Sequence, residues 1–292
     1  MHLQGIKKAV IPAAGYGTRF LPVTKAIPKE MFPIIDTPAI HLIVEEAIES
    51  GINEIIIIVS ANKNAIIDYF DRNFELEHAL LSKGKKAEYQ LVTEIGSKVN
   101  VHFLRQKEQL GLGHAVLQAQ TFIGDEPFAL LLGDDVYVSE KEPALKQLID
   151  CYNISNSSII GTMLVDEKDV NKFGICATQT DKRFSLINKV VEKPQAPISK
   201  INVAIGGRYI LTPTIFNYLK NQKAGYAGEI QLTDALSSML NSESIYSYQI
   251  DAKHYDIGSR IGYLEAIIDF GLNRQDISEQ IKELIKDKAK KM

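Results

Sequence analysis

Gly15, Gly17 and Arg19 directly follow the apolar run VIPAA, and Lys25 and Lys29 come soon after, interleaved with Pro22, Pro28 and Pro33. Glycines let backbone N–H groups approach phosphate oxygens; an arginine adds a planar fork of donors and a lysine a mobile point charge. Those residue types at that spacing point to polyphosphate binding. Two common versions of such a loop are ruled out. A dinucleotide fingerprint, G-x-G-x-x-G, needs a third glycine where Phe20 stands, and the P-loop string G-x-x-x-x-G-K-[ST] is absent. The prolines are expected to keep the segment extended.

A second chemical feature is Asp134-Asp135, closing the run FALLLGDD at 128–135. A carboxylate at the end of a buried strand is a hard oxygen ligand suited to Mg2+. Asp135, on strand alternation, points away from its neighbour.

Both features need a scaffold, and the chain supplies a repeating one. KKAVIP, EIIIIVS at 54–60, VHFLR at 101–105 and FALLLGDD are short and apolar with little alternation, as strands buried on both faces are. Residues 39–50, stopped by Gly51, and 64–71 read as one-sided helices between them. That βαβα order predicts an α/β, doubly wound, Rossmann-like, mixed but mainly parallel sheet in a three-layer αβα sandwich. Ligands in such sheets bind beyond the carboxyl ends of the strands, where the glycine loop and Asp134 fall.

Beyond residue 150, SSIIGTMLV, FGICATQ, FSLINKVVEKP and VAIGGRYIL read as strands, and LTPTIFNYLK and EIQLTDALSSML as helices continuing the same sheet. Residues 271–292 place Ile277, Ile281, Leu284 and Ile285 on one stripe, predicting a terminal helix on the body or on a partner subunit.

Composition excludes several classes. A net charge of -3 gives no cationic surplus for nucleic acid. No apolar run approaches the ~20 residues of a membrane span, and no signal-type start is expected. Cys151 and Cys176 stand far apart, which suits a reducing, cytoplasmic setting.

The stretches AAGYGTRFLP and KAIPKEM, followed in order by RQKEQLGLGHAV, FALLLGDD, VVEKP, GRYILTP, EIQLTDA and YDIGSRIGY, cover nearly the whole chain. In these blocks the sequence resembles the sugar nucleotidyltransferases, in their bacterial uridylyltransferase branch. The resemblance implies transfer of UMP from UTP to glucose 1-phosphate, with Mg2+ as cofactor and a homodimer or homotetramer as assembly. It also implies a catalytic domain over 1–270, with a nucleotide half to about 135 and a sugar-phosphate half beyond, before a helix at 271–292. Another hexose 1-phosphate, or dTTP, stays open as an alternative, and a nucleotide-sugar sensor is the rival outside catalysis.

The family pattern carries over residue by residue. It implies that Arg19, Lys29, Asp134 and Lys193 act in catalysis and that Asp134 and Asp256 hold the metal. Ala13, Ala14, Gly15, Gly17, Thr18 and Glu30 would line the nucleotide. Gln106 and the backbone at Gly111 would read the base, since an amide offers donor and acceptor together. Gly174, Glu192, Lys193 and Asn202 would meet the sugar phosphate, with residues 206–208 in the sugar strand. His114 is expected to cap or pack. Two departures lie near the sugar end: the link PISKIN is longer than the family's, and Gly228 replaces the usual Asp or Asn.

Overall fold

The computed structural model describes residues 5–291. Across its nine-stranded sheet the order is Asn100–Arg105, Glu54–Val59, Lys8–Pro12, Phe128–Leu131, Val203–Leu211, Ser158–Leu164, Ile245–Gln249, Phe184–Glu192 and Gly174–Thr178. The first four strands run parallel. Beyond them the sheet is mixed: Val203–Leu211 is antiparallel to both its neighbours, and Ile245–Gln249 runs parallel to Ser158–Leu164.

Side chains alternate across this sheet with period two, so each strand feeds two cores. Ala9, Ile11, Ile55 and Ile57 join Ile40 and Ile43 of the helix Ala39–Glu49 and Leu145 and Leu148 of Ala144–Ser155. Val10, Ile56 and Ile58 face the other way, onto Val116, Phe216 and Leu236. These two apolar layers account for the runs without polar alternation. No helix among the described residues is long and apolar enough to cross a membrane.

Two local expectations are corrected. The prolines do not hold the glycine loop extended; it folds into three 3-10 turns, Thr18–Phe20, Val23–Lys25 and Lys29–Met31. Pro22 and Pro28 immediately precede two of them, where a fixed φ and a missing N–H are tolerated. The run at 128–135 also stops early, at Leu131. Gly133 then lies against the Pro12 carbonyl, and a short strand Asp135–Val138 starts a separate ladder with Lys253–Asp256. Asp134 therefore sits in a turn between two strands.

The terminal helix Ser278–Ala289 docks through Ile281, which rests where a side chain on Gly271 would be, while Leu284 and Ile285 stay exposed.

Candidate active site

The chain leaves the strand Lys8–Pro12 through Ala13, whose N–H still bonds Ile58, and reaches Gly17 in the left-handed region at φ 65°. Thr24 donates its hydroxyl to the Gly17 carbonyl at 2.8 Å and crowds the space a Cβ would need there. Phe20 anchors the loop edge-on against Phe32 and Tyr263. The loop is thereby held as one wall of a cavity of ≈ 540 Å3. Ala14, Gly15, Gly17, Thr18, Arg19, Lys29, Glu30, Gln106, Gly111 and Asp134 all line it. Ala13 is buried just behind.

From the third turn of the loop, Lys29 Nζ reaches to 2.5 Å from Asp134 Oδ2 on the opposite wall. Burial opposes both charges, yet each partner outweighs it: the Lys29 ammonium is held above the ordinary lysine range and the Asp134 carboxyl below the carboxylate range. Glu30 is almost fully buried and pairs with Lys63 at 2.6 Å. Burial nonetheless pushes its carboxyl upward. Lys63, absent from the sequence-based set, is the partner that makes a buried Glu30 tolerable.

Asp256 approaches from the ladder in which it pairs with Asp135. A Cβ on Gly258 would lie 2.6 Å from Asp134 Oδ2 and 3.0 Å from Asp256 Oδ1, so both carboxylates converge on one point. Burial, then Asp135 and Asp134, raises the Asp256 carboxyl above its ordinary value. Asp135 turns away and bonds His254 at 2.6 Å. Among the described residues no group of three or more His, Cys, Asp or Glu side chains forms a complete metal cage. Two converging carboxylates fit Mg2+ all the same, since that ion is commonly held by one or two carboxylates plus substrate phosphates.

Arg19 joins this cavity to a second one of ≈ 970 Å3. Its Nη1 donates to the Gly258 carbonyl at 3.0 Å and lies 4.0 Å from Asp256. Lys193, Phe173, His254 and Asp256 line the second cavity. Gly174 and Glu192 face each other across an antiparallel ladder, and Glu192 accepts the Thr233 hydroxyl at 2.7 Å. Asn202 places a buried Oδ1 with no partner among the described residues next to the strand end at Val165.

Of the residues expected at the sugar end, only Lys193 lines a cavity; Gly174, Glu192 and Asn202 lie outside both linings, and so do residues 206–208. The pairing slips between Ile205 and Tyr209, turning Gly207 against Asp135 and Arg208 into the interior, where it is fully buried on Glu46. His114 also does more than cap, for its ring contacts the Gln106 amide at 2.8 Å. The segment Glu229 to Gln231 closes the cavity beside Gly111: a Cβ on Gly111 would lie 2.8 Å from both the Glu229 Cβ and the Ile230 carbonyl. Sequence spacing carries no signal for either contact.

A parallel sheet with a glycine loop, cations and converging carboxylates at its carboxyl edge defines a nucleotide-transfer scaffold. Residues 8–271 match the family model described as nucleotidyl transferase, and the chain belongs to that family. More particularly, it is 47% identical over 285 residues to UTP–glucose-1-phosphate uridylyltransferase 2 of Staphylococcus saprophyticus, covering 97% of this chain and 98% of that one. It is 48% identical over 287 residues to the uridylyltransferase YngB of Bacillus subtilis, covering 98% and 96%. A UTP-bound UGPase from Acinetobacter baumannii superposes with a TM-score of 0.90 at 38% identity, over 96% of this chain and 98% of that chain. A UDP-glucose pyrophosphorylase complexed with UDP-glucose gives 0.83 at 41%, over 92% and 100%.

Proposed function

We propose that the protein transfers UMP from UTP to glucose 1-phosphate, forming UDP-glucose and pyrophosphate. The observation that carries this reading is the meeting of two cavities at Arg19, with Asp134 on one side and Asp256 on the other. One cavity suits a nucleoside triphosphate and the other a sugar phosphate. Relatives bearing that activity in their names support the choice of substrates.

The chemistry asks little of the nucleophile. A phosphate monoester has its second pKa near ~6, so glucose 1-phosphate is largely dianionic at neutral pH and needs no general base. Its phosphate oxygen bonds to the α-phosphorus of UTP as the bond from that phosphorus to the bridging oxygen breaks, and pyrophosphate leaves. The obstacle is repulsion between two anions, which positioning and charge neutralisation overcome. Arg19 lies where both substrates meet, Lys29 faces the α-phosphate side and Lys193 faces the sugar phosphate. Asp134 and Asp256 would hold Mg2+, which when bound supplies neutralising charge to the phosphate oxygens. Gln106 reads the uracil edge; Gly174, Glu192 and Asn202 serve the hexose. The exposed Leu284 and Ile285 favour self-association as a homodimer or homotetramer, which light scattering of the purified protein tests.

Pyrophosphate release measured for UTP, dTTP and CTP against several hexose 1-phosphates, with and without Mg2+, tests the assignment. Fastest turnover is expected with UTP, glucose 1-phosphate and the metal. Preference for another pair replaces the named substrates, and binding without turnover of any pair overturns catalysis.

A further inference from the structure

Gln106 does not meet the nucleotide cavity as a free amide. Its Nε2 lies 2.8 Å from His114 Nδ1 and 3.4 Å from the Gly111 carbonyl, and the residue is only 4% exposed. On the far side of the same ring, His114 Nε2 lies 3.1 Å from Gln118 Nε2. An amide nitrogen only donates, and a neutral imidazole accepts at one nitrogen and donates at the other. The two glutamines cannot both donate to the ring, so the chain Gln106–His114–Gln118 has two proton arrangements.

In the first, Gln106 donates to His114 Nδ1, and His114 Nε2–H donates to a turned Gln118 through its Oε1. In the second, Gln118 donates to the ring, His114 Nδ1–H donates to Gln106, and the Gln106 amide must turn. Burial decides between them. The Gly111 carbonyl only accepts, so turning Gln106 would set two acceptors against each other inside the protein. Turning half-buried Gln118 gives up only a 3.4 Å bond to the His114 carbonyl, which water can replace. The first arrangement holds. It leaves Gln106 Oε1, which accepts nothing among the described residues, as the atom free to meet a base; of the two cavities Gln106 lines, the one it shares with Gly111 and Asp134 is the nucleotide site of the proposed function.

We infer that His114 and Gln118 are positioning residues that fix the Gln106 amide with its oxygen toward the base, making the site select N3–H pyrimidines over cytosine. Uracil and thymine present an N3–H donor to that oxygen, whereas cytosine presents a lone pair. The inference rests on the uridylyltransferase reading of the site and adds the residues that set its base preference.

Replacing Gln118 with a side chain that only donates forces the second arrangement. Gln118→Lys is expected to lower the ratio of kcat/KM for UTP over CTP about tenfold or more, chiefly by raising the KM for UTP with kcat little changed. His114→Phe keeps a ring but removes the 2.8 Å bond, so only the 3.4 Å bond to the Gly111 carbonyl still orients the amide; it is expected to lower the same ratio through the KM for UTP. Pyrophosphate release with glucose 1-phosphate and Mg2+ gives these constants, calorimetric titration gives UTP affinity without turnover, and thermal melting establishes that each variant is folded. Wild-type turnover of UTP with an unchanged UTP-to-CTP ratio in either folded variant overturns the relay alone. Failure of the wild type to use UTP at all overturns the underlying activity and the relay with it.

Discussion

Lys29 and Asp134, 105 residues apart in the chain, close a 2.5 Å ion pair in the wall of the ≈ 540 Å3 cavity. The pair joins the glycine-loop wall to the sheet wall. The same oxygen, Asp134 Oδ2, also faces Gly258, beside Asp256.

Removing the Asp134 charge therefore acts twice, on the proposed metal position and on the Lys29 ammonium. Asp134→Asn is expected to lower kcat for pyrophosphate release by about 100-fold to 1000-fold, the scale for losing one electrostatic group of a transition-state site. Mg2+ should then stimulate little of what remains, while far-UV circular dichroism stays unchanged. Near-normal, metal-stimulated turnover would remove Asp134 from the metal position.

Lys193 takes the left-handed region at φ 41° and sends its ammonium to 3.4 Å from Glu192 and over the Tyr226 ring. Such backbone strain is tolerated where surrounding structure enforces it, here through a bond from the Lys193 N–H to the Phe173 carbonyl at 3.0 Å. Lys193→Ala is expected to raise the KM for glucose 1-phosphate about tenfold to 100-fold, the worth of one charge-assisted hydrogen bond. The KM for UTP should stay nearly constant. Equal losses for both substrates in steady-state kinetics would contradict a role at the sugar phosphate.

Arg208 carries a structural prediction. Its guanidinium bonds Glu46 at 2.7 and 3.0 Å and the Asp135 carbonyl at 2.8 Å, with no exposed surface. Breaking a buried pair leaves an uncompensated charge, so Arg208→Met is expected to cost about 3–5 kcal/mol in urea unfolding. Because Glu46 also accepts the Leu145 N–H, the double variant Glu46→Leu/Arg208→Met should recover only part of that loss. Full recovery would mean that the pair's backbone contacts contribute nothing.

The parts legible in the sequence were those with a local cause. Apolar runs such as EIIIIVS predicted the parallel strands because both sheet faces are buried there, and the helix at 39–50 ended, as expected, near Gly51. The helices Phe74–Ser82 and Lys86–Glu94 carry no such signal, because their faces are largely exposed and their apolar stripe is weak. The likeness of its block to the family's points Arg208 to the sugar, whereas a slip in strand pairing turns it inward, a feature with no local sequence mark. Lys63 and His114 act through partners 33 and 8 residues away, contacts that only the folded chain creates.

Asp256 lets the electrostatics of the site be tested through stability. Its carboxyl is raised by burial, Asp135 and Asp134, so the folded protein binds that proton more tightly than the unfolded chain. By linkage, the contribution of this group to stability is fully present below the unfolded pKa and is lost as pH rises through the folded one. At neutral pH the ionised Asp256 thus weakens the apo fold. Asp256→Asn should raise the unfolding free energy there, by no more than about 1 kcal/mol because solvent screens a side chain left 36% exposed. The gain should shrink as pH falls toward the ordinary aspartate value of about 3.9. The same variant should bind Mn2+, used as a probe for Mg2+, more weakly than the wild type, since one of the two carboxylates proposed to hold the ion is gone. Urea titrations across pH, paired with Mn2+ binding followed by electron paramagnetic resonance, check both halves. A loss of stability at neutral pH would show that Asp256 is held by the fold itself, with Arg19 and the Gly258 N–H bond at 3.0 Å outweighing the repulsion from its acidic neighbours.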